Sequence, residues 1–244
     1  MQVQVLSGAQ KSLKSEMISR IFFILVTFLI VLLRKICNIA VRYINTIIQQ
    51  KMNAFFQKNT FIIDQKTWTI ANSYRILDEE GQQIGVIQEN LPASRLILSF
   101  FISKKNLPFT LHLQDAANNV MATIEKKFSF FTASIDIKDS DGVKIGTIKQ
   151  KFTLLKPSYE VYDANGQLIG TITGDWLAWD FKILDKQQNQ LATISKKWNG
   201  AMKEFFTDSD KYVISVSPQV TDDKMRMAII SASAVIDKIN KEMN

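Results

Sequence analysis

Residues 157–172 (PSYEVYDANGQLIGTI) alternate between apolar and polar side chains, except at a break from Asp163 to Gly166. Alternation predicts two antiparallel strands, and aspartate and glycine at the break are typical of a tight turn. The same spacing recurs along the chain. Counted from the aspartate, the third residue is a glycine or an amide residue and the sixth is apolar. The seventh residue is a glycine or an alanine, and the ninth is an isoleucine. The aspartates of its five copies are Asp78, Asp115, Asp139, Asp163 and Asp185. A repeated hairpin is therefore the unit of this chain.

The number of hairpins predicts the fold class. The glycine or alanine position suits a point where a strand bends or a second backbone comes close, as a closing sheet requires. Residues 67–71, 96–102 and 212–216 are candidates for additional strands. About twelve antiparallel strands make either a sandwich or a closed barrel. The segment 227–236 (MAIISASAVI) favours the barrel, because a helix that is apolar or small all round must be buried and this one is too short to cross a bilayer. We expect a mainly β fold, a closed antiparallel barrel around a central helix at 222–240.

An apolar run near the N-terminus predicts a membrane anchor. Residues 21–33 (IFFILVTFLIVLL) carry no charge, but the run is shorter than the roughly 20 residues that cross a bilayer. Snorkelling of the flanking basic side chains would lengthen it, and the absence of a small-residue cleavage site argues against a signal peptide. A single span, an interfacial anchor and a buried helix all stay open. The predicted anchor residues include Arg20, Ile21, Phe22, Phe23, Leu33, Arg34 and Lys35.

The pattern continues as an amphipathic helix over residues 36–57, with apolar residues on one face and asparagine, arginine and glutamine on the other. This helix is a candidate surface for a homo-oligomer or a protein partner. Cys37 falls at the expected membrane boundary and is a candidate for acylation, the alternative being an ordinary apolar cysteine. Basic residues are slightly denser after the apolar run than before it, which favours a cytoplasmic barrel. We therefore expect a single-pass or monotopic membrane protein with an anchor at 1–60 and a barrel at 61–244.

The charge distribution changes the picture of possible partners. The formal net charge is +7, but eight of the 30 basic residues and one of the 23 acidic residues lie in the first 60 positions. The remainder has 22 of each, so the barrel region shows no sign of nucleic-acid binding. His112, the only histidine, lies in an alternating strand without a serine or cysteine motif beside it. The sequence therefore gives no support to a catalytic triad or to another enzymatic site.

Acidic turns and basic strand ends predict a barrel with opposite charges at its two ends. Lysines mixed with aromatic residues at the far ends of the second strands suit an anionic lipid surface. The alternative is that the lysines are solvated strand ends and the aromatic residues fill the barrel mouth. The candidate rim comprises Lys126, Lys127, Lys149, Lys151, Lys196, Lys197 and Trp198.

Two segments resemble known families. Residues 194–216 (ISKKWNGAMKEFFTDSDKYVISV), with the following DDKMRMAIISASAVID, closely resemble the C-terminal end of phospholipid scramblases. Residues 151–163 (KFTLLKPSYEVYD) resemble the related LURP-one family. Both families belong to the Tubby C-terminal-like group, so the resemblance implies a twelve-stranded barrel enclosing a C-terminal helix. It also implies a phospholipid membrane as partner and a role in transbilayer phospholipid movement. The alternative is a membrane-tethered module that binds an anionic lipid or a protein without moving lipid.

The resemblance implies a candidate Ca²⁺ site at Asp208 and Asp210, where scramblases carry an acidic segment. Calcium requires several oxygen ligands, and a loop of the EF-hand type needs a bidentate acid at its twelfth position. Counted from Asp208, that position is Gln219 and the fifth is Tyr212, so the chain departs from the pattern. The alternative is that the two aspartates shape a turn. No other cofactor is expected.

Overall fold

The computed structural model describes residues 20, 23, 25–44, 46–47, 55–66, 73–151, 158–175, 178–196 and 211–243. Two compact units divide the chain, Met1–Lys51 and Met52–Asn244. In the first unit, residues 25–44 are helical. Phe55 and Phe56 belong to the second unit, where both side chains are buried in its core.

The second unit is a closed antiparallel barrel, as the sequence predicted. Each strand pairs with its neighbours along the chain, and the first closes on the last. The strands in the described part of the chain are β1 (Thr60–Lys66), β2 (Ser73–Leu77), β3 (Gln83–Asn90), β4 (Phe109–Asp115), β5 (Val120–Lys126), β6 (Ser134–Asp139), β7 (Lys144–Lys151), β8 (Ser158–Asp163), β9 (Leu168–Asp175), β10 (Asp180–Asp185), β11 (Gln190–Ser195) and β12 (Lys211–Val216).

The five repeated hairpins share one turn. In four of them the aspartate carboxylate accepts hydrogen bonds from the backbone N–H groups two and four residues later, as between Asp163 and the amides of Asn165 and Gln167. Asp78 accepts a hydrogen bond from Gln82 four residues later. The residue three positions after each aspartate has a positive φ. These residues are Gly81, Asn118, Gly142, Gly166 and Gln188.

The glycines at the repeated position, Gly85, Gly146 and Gly170, lie where the backbone of a neighbouring strand comes close, as predicted. At Gly170 an added Cβ would lie 2.2 Å from the carbonyl oxygen of Leu184 on the neighbouring strand. Each hairpin also has a shift of register next to its turn, as between Val161 and Tyr162. Bulges at equivalent positions curve the strands in the same way, which allows the sheet to close.

The barrel encloses the predicted helix, which runs from Asp223 to Met243. Its start is capped by Asp222, whose carboxylate accepts a hydrogen bond from the N–H of Lys224. The residues from Met227 to Ile236 are all buried, and the small ones among them allow the strands to approach. We refer to this helix as the central helix.

Of the three additional strands predicted, one is wrong, one is correct and one lies outside the described residues. The first strand is β1, and residues 67–72 lie outside the described residues. Residues 96–102 are not a strand: they contain the end of a short helix, Ala93–Leu98, and the turn after it. Pro92 immediately precedes this helix, and its fixed φ favours a helix start. The third candidate, 212–216, was correct and lies in β12.

Strand direction separates the tight turns from the long connections. Successive antiparallel strands alternate in direction, so the aspartate turns lie at one end of the barrel and the connections 91–108 and 127–133 at the other. We call the second end the open end. The central helix follows β12 from the turn end, so that its C-terminal residues reach the open end.

Candidate functional site

The two long connections expose an unusual number of large apolar side chains at the open end. Phe100 and Phe131 are 84% and 94% exposed. The connections touch each other, since the N–H of Ser129 donates to the carbonyl of Asn106 at 3.2 Å. Exposed apolar patches on this scale mark contact with a membrane or another protein. The exposed residues of these apolar loops are Leu96, Ile97, Leu98, Phe100, Phe101, Phe128, Phe130 and Phe131.

Lysines lie among and beside these apolar residues. Lys104 and Lys105 are exposed in the first connection, and Lys127 is exposed in the second. Two of the predicted rim lysines, Lys149 and Lys151, are exposed on β7. Their side chains have partners on β8: Lys149 lies over the ring of Tyr162 and Lys151 pairs with Glu160 at 2.8 Å.

Lys126 differs from the predicted rim because it points into the barrel and is only 3% exposed. Its Nζ donates to the carbonyl oxygens of Lys105 and Leu107, both at 2.9 Å. Burial lowers the pKa of Lys126 to about 8, partly opposed by the negative charge of Glu242. The reason for the inward direction is the two-residue period of β5, which places Lys126 in phase with Ile124 and the other core residues.

The remaining rim residues are only partly described. Lys196 follows β11, and its Nζ lies 5.0 Å from the ring centre of Trp179. Trp179 is itself buried against Phe181 and Tyr212. Lys197 and Trp198 lie outside the described residues.

A buried cluster of four charged side chains, the ion cluster, joins the open end to the central helix. Arg95 of the short helix contacts Glu89 of β3 at 3.0 Å and Glu242 of the central helix at 2.5 Å. Lys238 contacts the same two carboxylates at 2.8 and 3.0 Å. Arg95 also donates to the carbonyl oxygen of Pro108. The cluster holds the first connection on the end of the central helix, because Arg95 lies in that connection and contacts Glu242. Removal of one member would leave a buried charge without its partner, which is strongly destabilising.

Glu242 is a lining residue of two cavities. One, of about 320 Å³, lies between the two connections and β7, and Lys126 and Phe131 are among its lining residues. The other, of about 340 Å³, lies against the short helix and includes Arg95 and Lys238. The carboxylate oxygen Oε2 of Glu242 is buried and has no hydrogen-bond partner among the described residues. Sequence reasoning missed both cavities, because their walls come from segments that are distant along the chain.

The predicted anchor residues lie partly in the described portion of the first unit. Phe23 and Leu33 are exposed, as are most apolar side chains of its helical residues. Arg20, Arg34 and Lys35 are exposed as well, and Cys37 is an exposed free cysteine. Ile21 and Phe22 lie outside the described residues. No helix among the residues that the structure describes is long and apolar enough to cross a membrane.

Asp208 and Asp210 also lie outside the described residues, so the alternatives of a cation site and a turn stay predictions. His112 lies on β4, with its Nδ1 atom 3.4 Å from the hydroxyl of Thr123.

Comparison with known proteins identifies the family. Residues 39–241 match the sequence model of the Scramblase family, and the chain belongs to this family. A phospholipid scramblase family protein of Schizosaccharomyces pombe is 28% identical over 153 residues, which is 59% of this chain and 40% of that protein. The chain therefore spans about two fifths of the length of that relative. An X-ray structure of an Arabidopsis thaliana protein aligns with a TM-score of 0.42 at 10% identity, covering 73% of this chain and 91% of that one.

Proposed function

We propose that this protein is a membrane-associated scramblase whose barrel meets a phospholipid surface with its open end and promotes movement of phospholipids between leaflets. Family membership supports an action on phospholipids. The observation that carries the proposal is the group of exposed phenylalanines in two adjoining connections, interspersed with Lys104, Lys105 and Lys127. Aromatic and aliphatic side chains enter the interfacial region of a bilayer, while lysines interact with anionic headgroups.

The N-terminal unit supplies the second membrane contact in this proposal. Its helical residues 25–44 expose apolar side chains around the helix, and basic residues occur at Arg20, Arg34 and Lys35. Exposed apolar side chains with basic flanks favour insertion into an anionic leaflet. The slight excess of basic residues after the run supports a barrel on the cytoplasmic side.

The interior of the barrel is not the path for lipid in this mechanism. The central helix fills the barrel, and Ser231, Ala232 and Ala234 are buried against the strands. Lipids would therefore move along the outside of the protein, where a short anchor and basic flanks can thin the bilayer locally. No covalent step is required.

The filled barrel also favours a second candidate, a tethered binding module. In that case the N-terminal unit holds the barrel at the membrane, and the open end recognises an anionic lipid or a protein partner without moving lipid. The two candidates share the membrane contact and differ in lipid exchange.

Reconstitution of the full-length protein in vesicles with a fluorescent phospholipid tests the proposal. After a quencher is added outside, vesicles without lipid exchange lose about half of their signal, because the inner leaflet is protected. We expect loss well beyond half in vesicles that contain the protein. Measurement with and without Ca²⁺ tests the departure of the Asp208 and Asp210 segment from the calcium pattern, and we expect the same rate in both.

Substitutions at the open end provide the link to structure. The double variant Phe130→Ser/Phe131→Ser is expected to slow exchange, since it removes two exposed aromatic rings. Val143→Ser is the matched control: Val143 is an exposed apolar residue at the turn end of the barrel. If the fluorescence falls only to about half although the wild-type protein is inserted in the vesicles, lipid movement is rejected and the tethered module is favoured. Equal rates for the double variant and the control would reject the open end as the contact surface.

A further inference from the structure

The cavity of about 320 Å³ has an amphipathic lining. Polar side chains from both connections, β5, β7 and the central helix line it together with apolar side chains that include the exposed Phe130 and Phe131. Pockets of this volume accommodate small ligands. The polar lining residues are Lys105, Asn106, Lys126, Ser129, Gln150 and Glu242, and the apolar ones are Phe130, Phe131, Ala133 and Ile239.

Lys126 provides a positive group at this cavity with spare hydrogen-bonding capacity. Its ammonium has three N–H donors, and two of them are directed to the carbonyls of Lys105 and Leu107. The third has no hydrogen-bond acceptor among the described residues and can donate to a ligand, although Nζ also lies 5.9 Å from the ring centre of Phe109. Because the two carbonyls fix the position of Nζ, the donor is held in place before a ligand arrives.

Glu242 provides a negative group at the same cavity. Its Oε1 atom is occupied by Arg95 and Lys238, whereas its Oε2 atom is buried and has no hydrogen-bond partner in the described part of the chain. A buried carboxylate oxygen without a donor is costly unless a ligand or water satisfies it. Glu242 and Lys126 line the same cavity, and the negative charge of Glu242 opposes the lowering of the Lys126 pKa.

A ligand that carries an acceptor for Lys126 and a donor for Glu242 would satisfy both groups. We propose that the cavity binds the headgroup of a phospholipid with a primary amine, its phosphate at Lys126 and its ammonium at Glu242. The inference rests on the proposed function, since the lipid must reach the cavity from a membrane at the open end. Phe130 and Phe131 line the mouth and would contact the glycerol and acyl region.

The charges around the cavity agree with this ligand class. The ion cluster and Lys126 together contain three cations and two anions, so one positive charge is left in excess. A phosphate can approach that excess, and an ammonium group can donate to Glu242. The quaternary ammonium of phosphatidylcholine has no N–H to donate, and phosphatidylglycerol has no cation. Both should therefore bind less well than phosphatidylserine or phosphatidylethanolamine.

Calorimetric titration of the full-length protein in a non-ionic detergent tests the inference. The probes are the dihexanoyl forms of phosphatidylserine, phosphatidylethanolamine, phosphatidylcholine and phosphatidylglycerol. We expect the two amine lipids to bind at least about tenfold more tightly than the other two, as a charge-assisted hydrogen bond contributes that much. Inorganic phosphate and glycerophosphoethanolamine distinguish a lipid from a soluble phosphate, and we expect neither to compete at equal concentration.

Matched variants locate the preference at Glu242. Glu242→Gln should reduce the preference for amine lipids to less than about threefold, because an amide oxygen is a weaker acceptor for ammonium. Glu89→Gln makes the same change in the ion cluster, but Glu89 does not line this cavity, and it should retain the preference. Equal affinity of wild type for the serine and glycerol lipids would overturn the inference, as would equal losses in the two variants. Effective competition by glycerophosphoethanolamine would overturn the lipid as the ligand.

Failure here can be distinguished from failure of the proposed function. If lipid exchange in vesicles depends on Phe130 and Phe131 but the soluble lipids show no headgroup preference, only the cavity assignment is wrong. If the preference is present but exchange is absent, the cavity assignment holds and the tethered module replaces the scramblase.

Discussion

Replacing Lys126 by methionine should change the pH dependence of folding, because the wild-type lysine is charged and buried. The pKa of Lys126 falls from the ordinary 10.5 to about 8 through burial, with the charges of Arg95 and Lys238 lowering it further and that of Glu242 raising it. That difference corresponds to about 3 kcal/mol, at roughly 1.4 kcal/mol for each tenfold change in proton affinity. The charge therefore destabilises the fold by about this amount whenever both states are protonated.

The sign of the effect follows from proton binding. Below about pH 8 Lys126 is protonated in the folded and unfolded states, so the full destabilisation is present. Between pH 8 and about 10.5 the unfolded state binds more protons, and the stability of the wild type rises with pH. Lys126→Met removes this dependence. The carbonyls of Lys105 and Leu107 lose their donor in the variant, but that cost does not vary with pH.

Urea unfolding of the detergent-solubilised protein, followed by fluorescence, provides the measurement. The difference in unfolding free energy between wild type and Lys126→Met should change by about 3 kcal/mol between pH 7 and pH 10.5, in favour of the wild type. Other titrating groups are common to both proteins and cancel in the difference. Lys127→Met removes the exposed neighbouring lysine, and its curve should follow the wild type. A difference that stays constant within about 1 kcal/mol would refute the buried, charged state of Lys126.

Two further substitutions test the barrel closure and the ion cluster. Gly170→Ala should lower the unfolding free energy by at least about 2 kcal/mol, because its Cβ would overlap the carbonyl of Leu184. Gly166→Ala is the comparison: its Cβ would lie in open space, and the positive φ alone should cost about 1 kcal/mol. Equal losses in urea unfolding would contradict the close approach. Arg95→Met should cost about 3 kcal/mol and expose the first connection to chymotrypsin. Lys138→Met removes one member of a partly exposed ion pair with Glu125 and should cost less than about 1 kcal/mol. Unchanged cleavage of Arg95→Met would show that Arg95 does not hold the connection.

The hairpins could be predicted because their determinants are local. Asp163 and the positive φ of Gly166 lie within four residues of each other, and the same spacing recurs in four more copies. The central helix was predictable for a similar reason, since its apolar and small residues are consecutive. Local patterns of this kind fix turns, bulges and burial before any long-range contact is known.

The open end depends on contacts that no local pattern contains. Arg95 and Glu242 are 147 positions apart, and only the closed barrel brings them together. The phenylalanines of 96–102 were mistaken for a strand, because a short apolar run does not distinguish a strand from a helix. Lys126 is different: its phase with Ile124 on β5 is present in the sequence and could have indicated an inward side chain. A lysine at the end of a strand was expected at the surface, in contact with lipid or with water, and burial proved the stronger constraint.

The central helix connects the two halves of the functional proposal. By filling the barrel it removes the interior as a route for lipid, and by ending at the open end it supplies Lys238 and Glu242 to the ion cluster. The same cluster positions the short helix that carries part of the exposed apolar surface, through Arg95. A headgroup that satisfied Glu242 would therefore bind at the point where the connection is held to the helix. Occupancy of the cavity and the position of the apolar loops are then linked energetically, so a lipid that fits the cavity should also strengthen contact with the membrane from which it came.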